Sequence, residues 1–216
     1  MPFPDAGAAA GPQAPVVRLE SVETLADDWL TLRKFRLETT GPDGTEQRLT
    51  RLSIHRGDRV GVLLHSPRHE TVVLTSQFRL PVLLHGRGDG QLLEVPGGLL
   101  DDGDALEAAR RETEEETGFR VGPLTRVSVV YMAPQLSHER THLFVAEYDP
   151  LVRVGPGGGV AEEGEDIRVL QLPLDEAVRQ VSAQEAADGK TLLLLLHLRC
   201  QGLGAPQGAV EEEGRP

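Results

Sequence analysis

Pro96-Gly97-Gly98-Leu99-Leu100-Asp101-Asp102-Gly103-Asp104-Ala105-Leu106-Glu107-Ala108-Ala109-Arg110-Arg111-Glu112-Thr113-Glu114-Glu115-Glu116-Thr117-Gly118-Phe119 is the stretch that decides the fold. Residues three and four apart share one face of a helix, so Glu112 lies one turn before both Glu115 and Glu116. Three carboxylates on one stripe repel, and a divalent cation removes that penalty; hard cations such as Mg²⁺ take oxygen ligands. Arg111 stands three residues before Glu114 and four before Glu115, placed to hydrogen-bond an acidic neighbour and fix its rotamer. Gly97 and Gly98 free the backbone before the helix, and Gly118 supplies a stop after it. The stretch reads as a loop–helix–loop metal site. A solvated acidic face is the competing reading, and acid count alone favours it.

The order of the residues decides between them. Glycine, a spacer, Arg111-Glu112-x-x-Glu115-Glu116-x-Gly118 and a hydrophobe resemble the Nudix box, the signature of hydrolases that cleave a diphosphate linked to another group. The box start is irregular. The family places a Glu six residues after its first glycine; counting from Gly97 puts Gly103 there, and counting from Gly98 puts Asp104 there with the spacer one residue short.

The formal charge of −12 argues against nucleic acid or an anionic membrane as partner, since both require a cationic surface. It also repels a diphosphate unless bound cations reverse the local field. A hydrophobic fraction of 39% is ordinary for a folded soluble chain. One cysteine, Cys200, fits a reducing compartment, and neither a signal peptide nor a membrane span is evident, so a cytoplasmic protein is expected.

Residues 1–20 and 201–216 read as disordered tails, the second acidic at Glu211-Glu212-Glu213. Alternation from Trp29, the turn Gly41-Pro42-Asp43-Gly44 and further alternation from Gln47 to Ile54 predict an N-terminal antiparallel hairpin within residues 21–57. A hairpin alone is marginal, so it must pack on the main domain or on a second copy. Residues 58–200 form that main domain. Its predicted strands are Arg59–His65, Thr71–Ser76, Gln91–Val95, Val127–Met132, His142–Tyr148 and Ile167–Leu172. Besides the box helix, it has predicted helices at Leu174–Gln180 and Lys190–Arg199. The order implies an α/β fold with helices on both faces of a mixed sheet. The string Gly189-Lys190-Thr191 evokes a P-loop, but Gln184 stands where its first glycine is required.

Other strings extend the resemblance to the ADP-ribose and GDP-mannose pyrophosphatase group. Ser76-Gln77-Phe78-Arg79 resembles that group's element before the box, which implies a substrate role for Arg79. Glu94 stands where the group has an acid near substrate. Glu139, in the loop after the box, is the corresponding candidate for a substrate or outer metal contact, although Gln135 and Leu136 replace common glycines there. The glycine-rich acidic segment Gly157–Ile167 resembles the loop that supplies the general base; Glu163 is favoured and Glu165 is runner-up. The string beginning Asp188-Gly189-Lys190-Thr191 resembles the closing helix of the GDP-mannose branch.

The resemblance implies a Nudix α/β/α sandwich whose N-terminal hairpin builds a homodimer. It implies two or three Mg²⁺ ions, with Mn²⁺ as substitute, held by Glu112, Glu115, Glu116 and the Gly97 carbonyl. Arg111 and Glu115 join the base among the catalytic residues. The expected reaction is hydrolysis of a nucleoside diphosphate sugar, GDP-mannose-like or ADP-ribose-like. A non-catalytic nucleotide-sugar sensor or scaffold is the alternative, against which the complete acid set argues.

Overall fold

The computed structural model describes residues 16–85, 88–100, 103–160, 164 and 166–202. These form two compact units, one ending at Arg56 and including Ala133–His138, the other comprising Gly57–Met132 and the chain from Glu139 onward.

In the first unit, β1 (Val16–Asp27), β2 (Thr31–Thr40) and β3 (Glu46–His55) make an antiparallel sheet in that order. The expected hairpin is β2–β3, in unbroken register from Thr31↔His55 to Thr40↔Glu46. The structure corrects the expectation by adding β1, which starts inside the stretch read as a tail. All of β1 is exposed, and bulges between Leu19 and Ser21 and between Thr24 and Ala26 break the period-two spacing of its apolar residues Val17, Leu19, Val22 and Leu25. Ladder bonds to β2 and the cross-strand pairs Arg18–Glu38 (2.7 Å) and Lys34–Glu23 (3.1 Å) hold it. Residues Ala133–His138 lie against β3: Ile54 N–H donates to the Leu136 carbonyl at 2.9 Å, and the His138 ring stacks on His55 at 4.2 Å.

The second unit is built on a mixed sheet of β4 (Arg59–Ser66), β5 (Thr71–Phe78), β6 (Gln91–Glu94), β7 (Leu124–Tyr131), β8 (Arg140–Glu147) and β9 (Arg168–Pro173). β4 runs parallel to β8 and antiparallel to β5. β6 and β9 both pair antiparallel with β5. A short helix, α1 (Leu80–Leu84), was not expected; it starts at the turn that Pro81 favours. The box helix is α2 (Ala105–Thr117), and α3 (Leu174–Ser182) and α4 (Gly189–Cys200) follow β9.

Alternation along the strands explains the layers. Val60, Val62, Leu64, Phe144 and Ala146 face α2, whereas Leu63, Leu143 and Val145 face α3 and α4. The fold is thus an α/β/α sandwich with a mixed sheet. On α2 the buried residues Ala105, Ala108, Ala109, Thr113, Glu116 and Thr117 recur at helical spacing, and the small side chains of the alanines and threonines bring the helix close to the sheet. Thr113 and Thr117 donate to the carbonyls one turn back, each at 2.6 Å, which satisfies hydroxyls that no solvent reaches. Asp104, the acid at the irregular box start, is the N-cap and accepts from Leu106 N–H at 3.2 Å.

Phe119 follows the helix, fully buried and 5.0 Å from the Tyr148 ring. Its replacement in Phe119→Ala removes a large core side chain and is expected to cost about 3–5 kcal/mol. Urea unfolding followed by circular dichroism measures this.

Candidate active site

The turn that opens the box lies along β4. Val62 N–H donates to the Pro96 carbonyl at 2.9 Å, Val60 N–H to that of Gly98 at 3.0 Å, and Leu100 N–H to that of Asp58 at 2.7 Å. The Pro96 and Gly98 carbonyls therefore point to β4, and alternation in extended backbone turns Gly97 the other way, toward α2. Its N–H donates to Glu116 Oε2 at 3.1 Å. Gly97 has φ 158°, and a β-carbon there would stand 2.1 Å from the Val60 carbonyl oxygen. One added at Gly98 would stand 2.1 Å from Glu112 Oε2. Both carboxylates therefore converge on a backbone stripped of side chains.

Arg111 Nη1 lies 2.8 Å from Glu112 Oε1 and 3.6 Å from Glu115 Oε2, so it spans the two acids. Glu114 turns elsewhere and accepts from Val121 N–H at 3.1 Å. Glu116 is 4% exposed, whereas the Glu115 side chain is 44% exposed. Among the described residues no three acids, histidines or cysteines are already gathered as a metal-binding group. The oxygens of Glu112, Glu116 and the Gly97 carbonyl nevertheless make a donor set suited to a hard divalent cation, with Glu115 one turn away along the same helix.

A second cluster centres on Glu94. Arg79, just after β5, forks onto Glu94 at the end of β6, with Nε 2.5 Å from Oε1 and Nη2 3.2 Å from Oε2. Lys190, in the first turn of α4, also donates to Glu94 Oε2 and lies 3.0 Å from Asp188 Oδ2. Asp188 caps α4 by accepting from Thr191 N–H at 3.0 Å, and Thr191 Oγ1 accepts from Val95 N–H at 2.7 Å. Burial pushes the Glu94 carboxyl up, but the charge of Lys190 and the bonds and charge of Arg79 outweigh it and hold the pKa below the ordinary value. Burial likewise lowers Arg79; its bond to Glu94 and the charges of Glu94, Glu116 and Asp188 raise it on balance. Arg79 is thus within electrostatic reach of the box.

The NUDIX domain family matches residues 55–196, and the GDP-mannose pyrophosphatase NudK N-terminal domain matches residues 16–52. The chain belongs to the Nudix family. It is similar to the GDP-mannose pyrophosphatase of Pectobacterium atrosepticum, 42% identical over 178 residues, 82% of this chain and 91% of that protein. The protein of that name from Cronobacter sakazakii is 39% identical over 187 residues, 87% of this chain and 97% of the relative. Membership in the family makes this Nudix protein a hydrolase, and the relatives' names lend the binding-only alternative no support.

Of the residues expected at a Nudix site, the structure brings together Gly97, Glu112 and Glu116, with Arg111 and Glu115 on the exposed flank and Arg79 and Glu94 alongside. Glu139 is half-buried just before β8. Arg59 pairs with Thr141 on one side and bridges to Leu99 on the other, so Glu139 stands at the same end of the sheet as the box turn. Its position is fixed by its neighbour: Arg140 donates through N, Nε and Nη2 to Asp58 at 2.6–2.9 Å. Glu163 and Glu165 lie outside the described residues. The base of their loop is described: Gly158 N–H donates to the Glu116 carbonyl at 2.8 Å, and Ile167 N–H to the Gly158 carbonyl at 3.3 Å.

Sequence reasoning placed Asp188 and Lys190 at the start of the closing helix but gave neither a role in the site. A cation in the first turn of a helix opposes the helix dipole, and that oddity signals an anionic partner elsewhere in the chain. Nor does any membrane-length apolar helix occur among the described residues.

The Glu94 shift carries a pH signature. With its folded pKa below the unfolded value of 4.5, its contribution is fully present above 4.5 and is lost as pH falls through the lower, folded value. Glu94→Gln is expected to cost about 1–3 kcal/mol at neutral pH, less than a fully buried pair because Arg79 is 36% exposed. Urea unfolding of both proteins at several pH values should show that difference constant above 4.5 and narrowing below it.

Proposed function

We propose that this protein hydrolyses the diphosphate of a nucleoside diphosphate sugar, GDP-mannose first among candidates, to a nucleoside monophosphate and a sugar phosphate, with Mg²⁺ or Mn²⁺ as cofactor. The observation that carries the reading is the convergence of Glu112 and Glu116 on the Gly97–Gly98 backbone within reach of Arg79. The match of residues 16–52 to the NudK N-terminal domain, and the names of the relatives, favour GDP-mannose over ADP-ribose.

In this reading Glu112, Glu115, Glu116 and the Gly97 carbonyl would hold two or three ions. Bound there, the metal would offset the charge of the diphosphate and lower the pKa of a water. Arg111 holds Glu112 and Glu115 in place. Arg79 offers a planar guanidinium to a phosphate oxygen, and Glu139 contacts the substrate from the start of β8. Glu163, with Glu165 as runner-up, takes a proton from the attacking water. Attack in line at one phosphorus forms one P–O bond and breaks the bridging one, and the second phosphate leaves with its substituent.

The protein is also read as a homodimer through its N-terminal sheet, where Val17, Leu19, Val22, Leu25 and Trp29 are 45–67% exposed.

A panel of nucleotide sugars with Mg²⁺ or Mn²⁺, assayed by phosphate release in the presence of phosphatase, tests the reaction. GDP-mannose should be turned over, and Glu116→Gln should lose about a thousandfold in kcat, the several kcal/mol that metal assistance supplies. No release from any member would overturn the reading. Light scattering tests the dimer: the expected mass is twice 23.4 kDa, and the monomer mass refutes it.

A further inference from the structure

The role of Glu94 is open to a sharper reading than substrate contact. Glu94 is 4% exposed, and both its carboxylate oxygens are engaged: Oε1 by Arg79, Oε2 by Arg79 and Lys190. A carboxylate and a phosphate are both hydrogen-bond acceptors and repel, and both Glu94 oxygens are already taken, so the diphosphate of the substrate gains nothing from Glu94 directly. Arg79 gains a great deal. A guanidinium on a flexible stem loses conformational freedom when it binds, and a fork already formed on one edge leaves less to lose at the other. The Glu94 carboxylate is itself anchored, because Lys190 joins it to Asp188, the N-cap of α4. Thr191 fixes the backbone next to Glu94, at Val95 N–H. The 36% of the Arg79 side chain that remains exposed is what the fork leaves for a ligand.

We infer that Glu94 is a positioning residue, which clamps Arg79 between β5 and the start of α4 and so presents its free edge to the diphosphate beside Glu116. This rests on the proposed reaction and adds to it: Glu94 acts through Arg79 alone and does not touch the substrate.

The test is a double-mutant cycle of Glu94→Gln and Arg79→Gln in the full chain, with GDP-mannose and Mg²⁺. Glu94→Gln alone should raise KM and lower kcat/KM by about 10–100-fold, the range for groups that act by orienting another. In the Arg79→Gln background the same change should cost less than twofold. Glu94→Asp, which keeps the charge but withdraws it by one methylene, should fall between Gln and wild type. Independent, multiplying effects in the cycle, or unchanged kinetics in Glu94→Gln, would overturn the inference. If Glu94→Gln does not fold by circular dichroism, the cycle is run with Glu94→Asp, and the same non-additivity is required. Calorimetric affinity for methylenediphosphonate with Mg²⁺ gives a readout free of turnover. Should wild type hydrolyse no nucleotide sugar, the proposed reaction fails, while the clamp stands or falls on whether Glu94 and Arg79 are coupled in that affinity.

Discussion

Two β-carbons are missing from the turn that opens the box, and in the space they leave β4 closes on Gly97 while α2 brings Glu112 onto Gly98. The two glycines serve different ends. At Gly97 the obstacle to a side chain is the β4 backbone, the carbonyl of Val60, which cannot retreat without loosening the sheet. At Gly98 it is the tip of Glu112, which can swing aside, so the residue is needed for where that carboxylate sits and not for whether the chain folds. Everything else in the site depends on this approach. It sets the distance between helix and sheet, and the alanines and threonines on the inner side of α2 are the small residues that let the helix come so near.

The chain resolves its electrostatic problem locally. A net charge of −12 disfavours an anionic ligand at long range, and screening at physiological salt confines that field to about 8 Å. Within that distance the composition is different. Arg111 lies across two of the box acids, and Arg79 and Lys190 share one buried carboxylate beside the third. The site therefore mixes both signs closely, as a centre that must hold a cation and an anion together has to do.

What could be read in the sequence follows from how each feature is encoded. The box helix was legible because its acids and its buried small residues repeat at helical spacing within one short window. The sandwich was legible because strand alternation and helix caps are local. β1 was not, since two bulges break its alternation and its partners are supplied by β2. The Glu94–Lys190 contact spans 96 residues of chain, and no spacing rule reaches that far. Glu94 itself was noticed through resemblance, but its burial between two cations is a property of the fold. The acids at 163 and 165 lie outside the described residues and rest on resemblance alone.

The assignment of Ala133–His138 to the N-terminal unit has a practical corollary. The chain leaves the catalytic unit after Met132, lays one short segment against β3, and returns at Glu139. Cutting the polypeptide at Arg56 would thus divide the smaller unit as well as separate it from the rest. It would strip Leu136 and His138 of their backbone and ring partners directly upstream of Glu139. The smaller unit is therefore discontinuous in sequence: one of its segments is lent by the stretch between Met132 and Glu139.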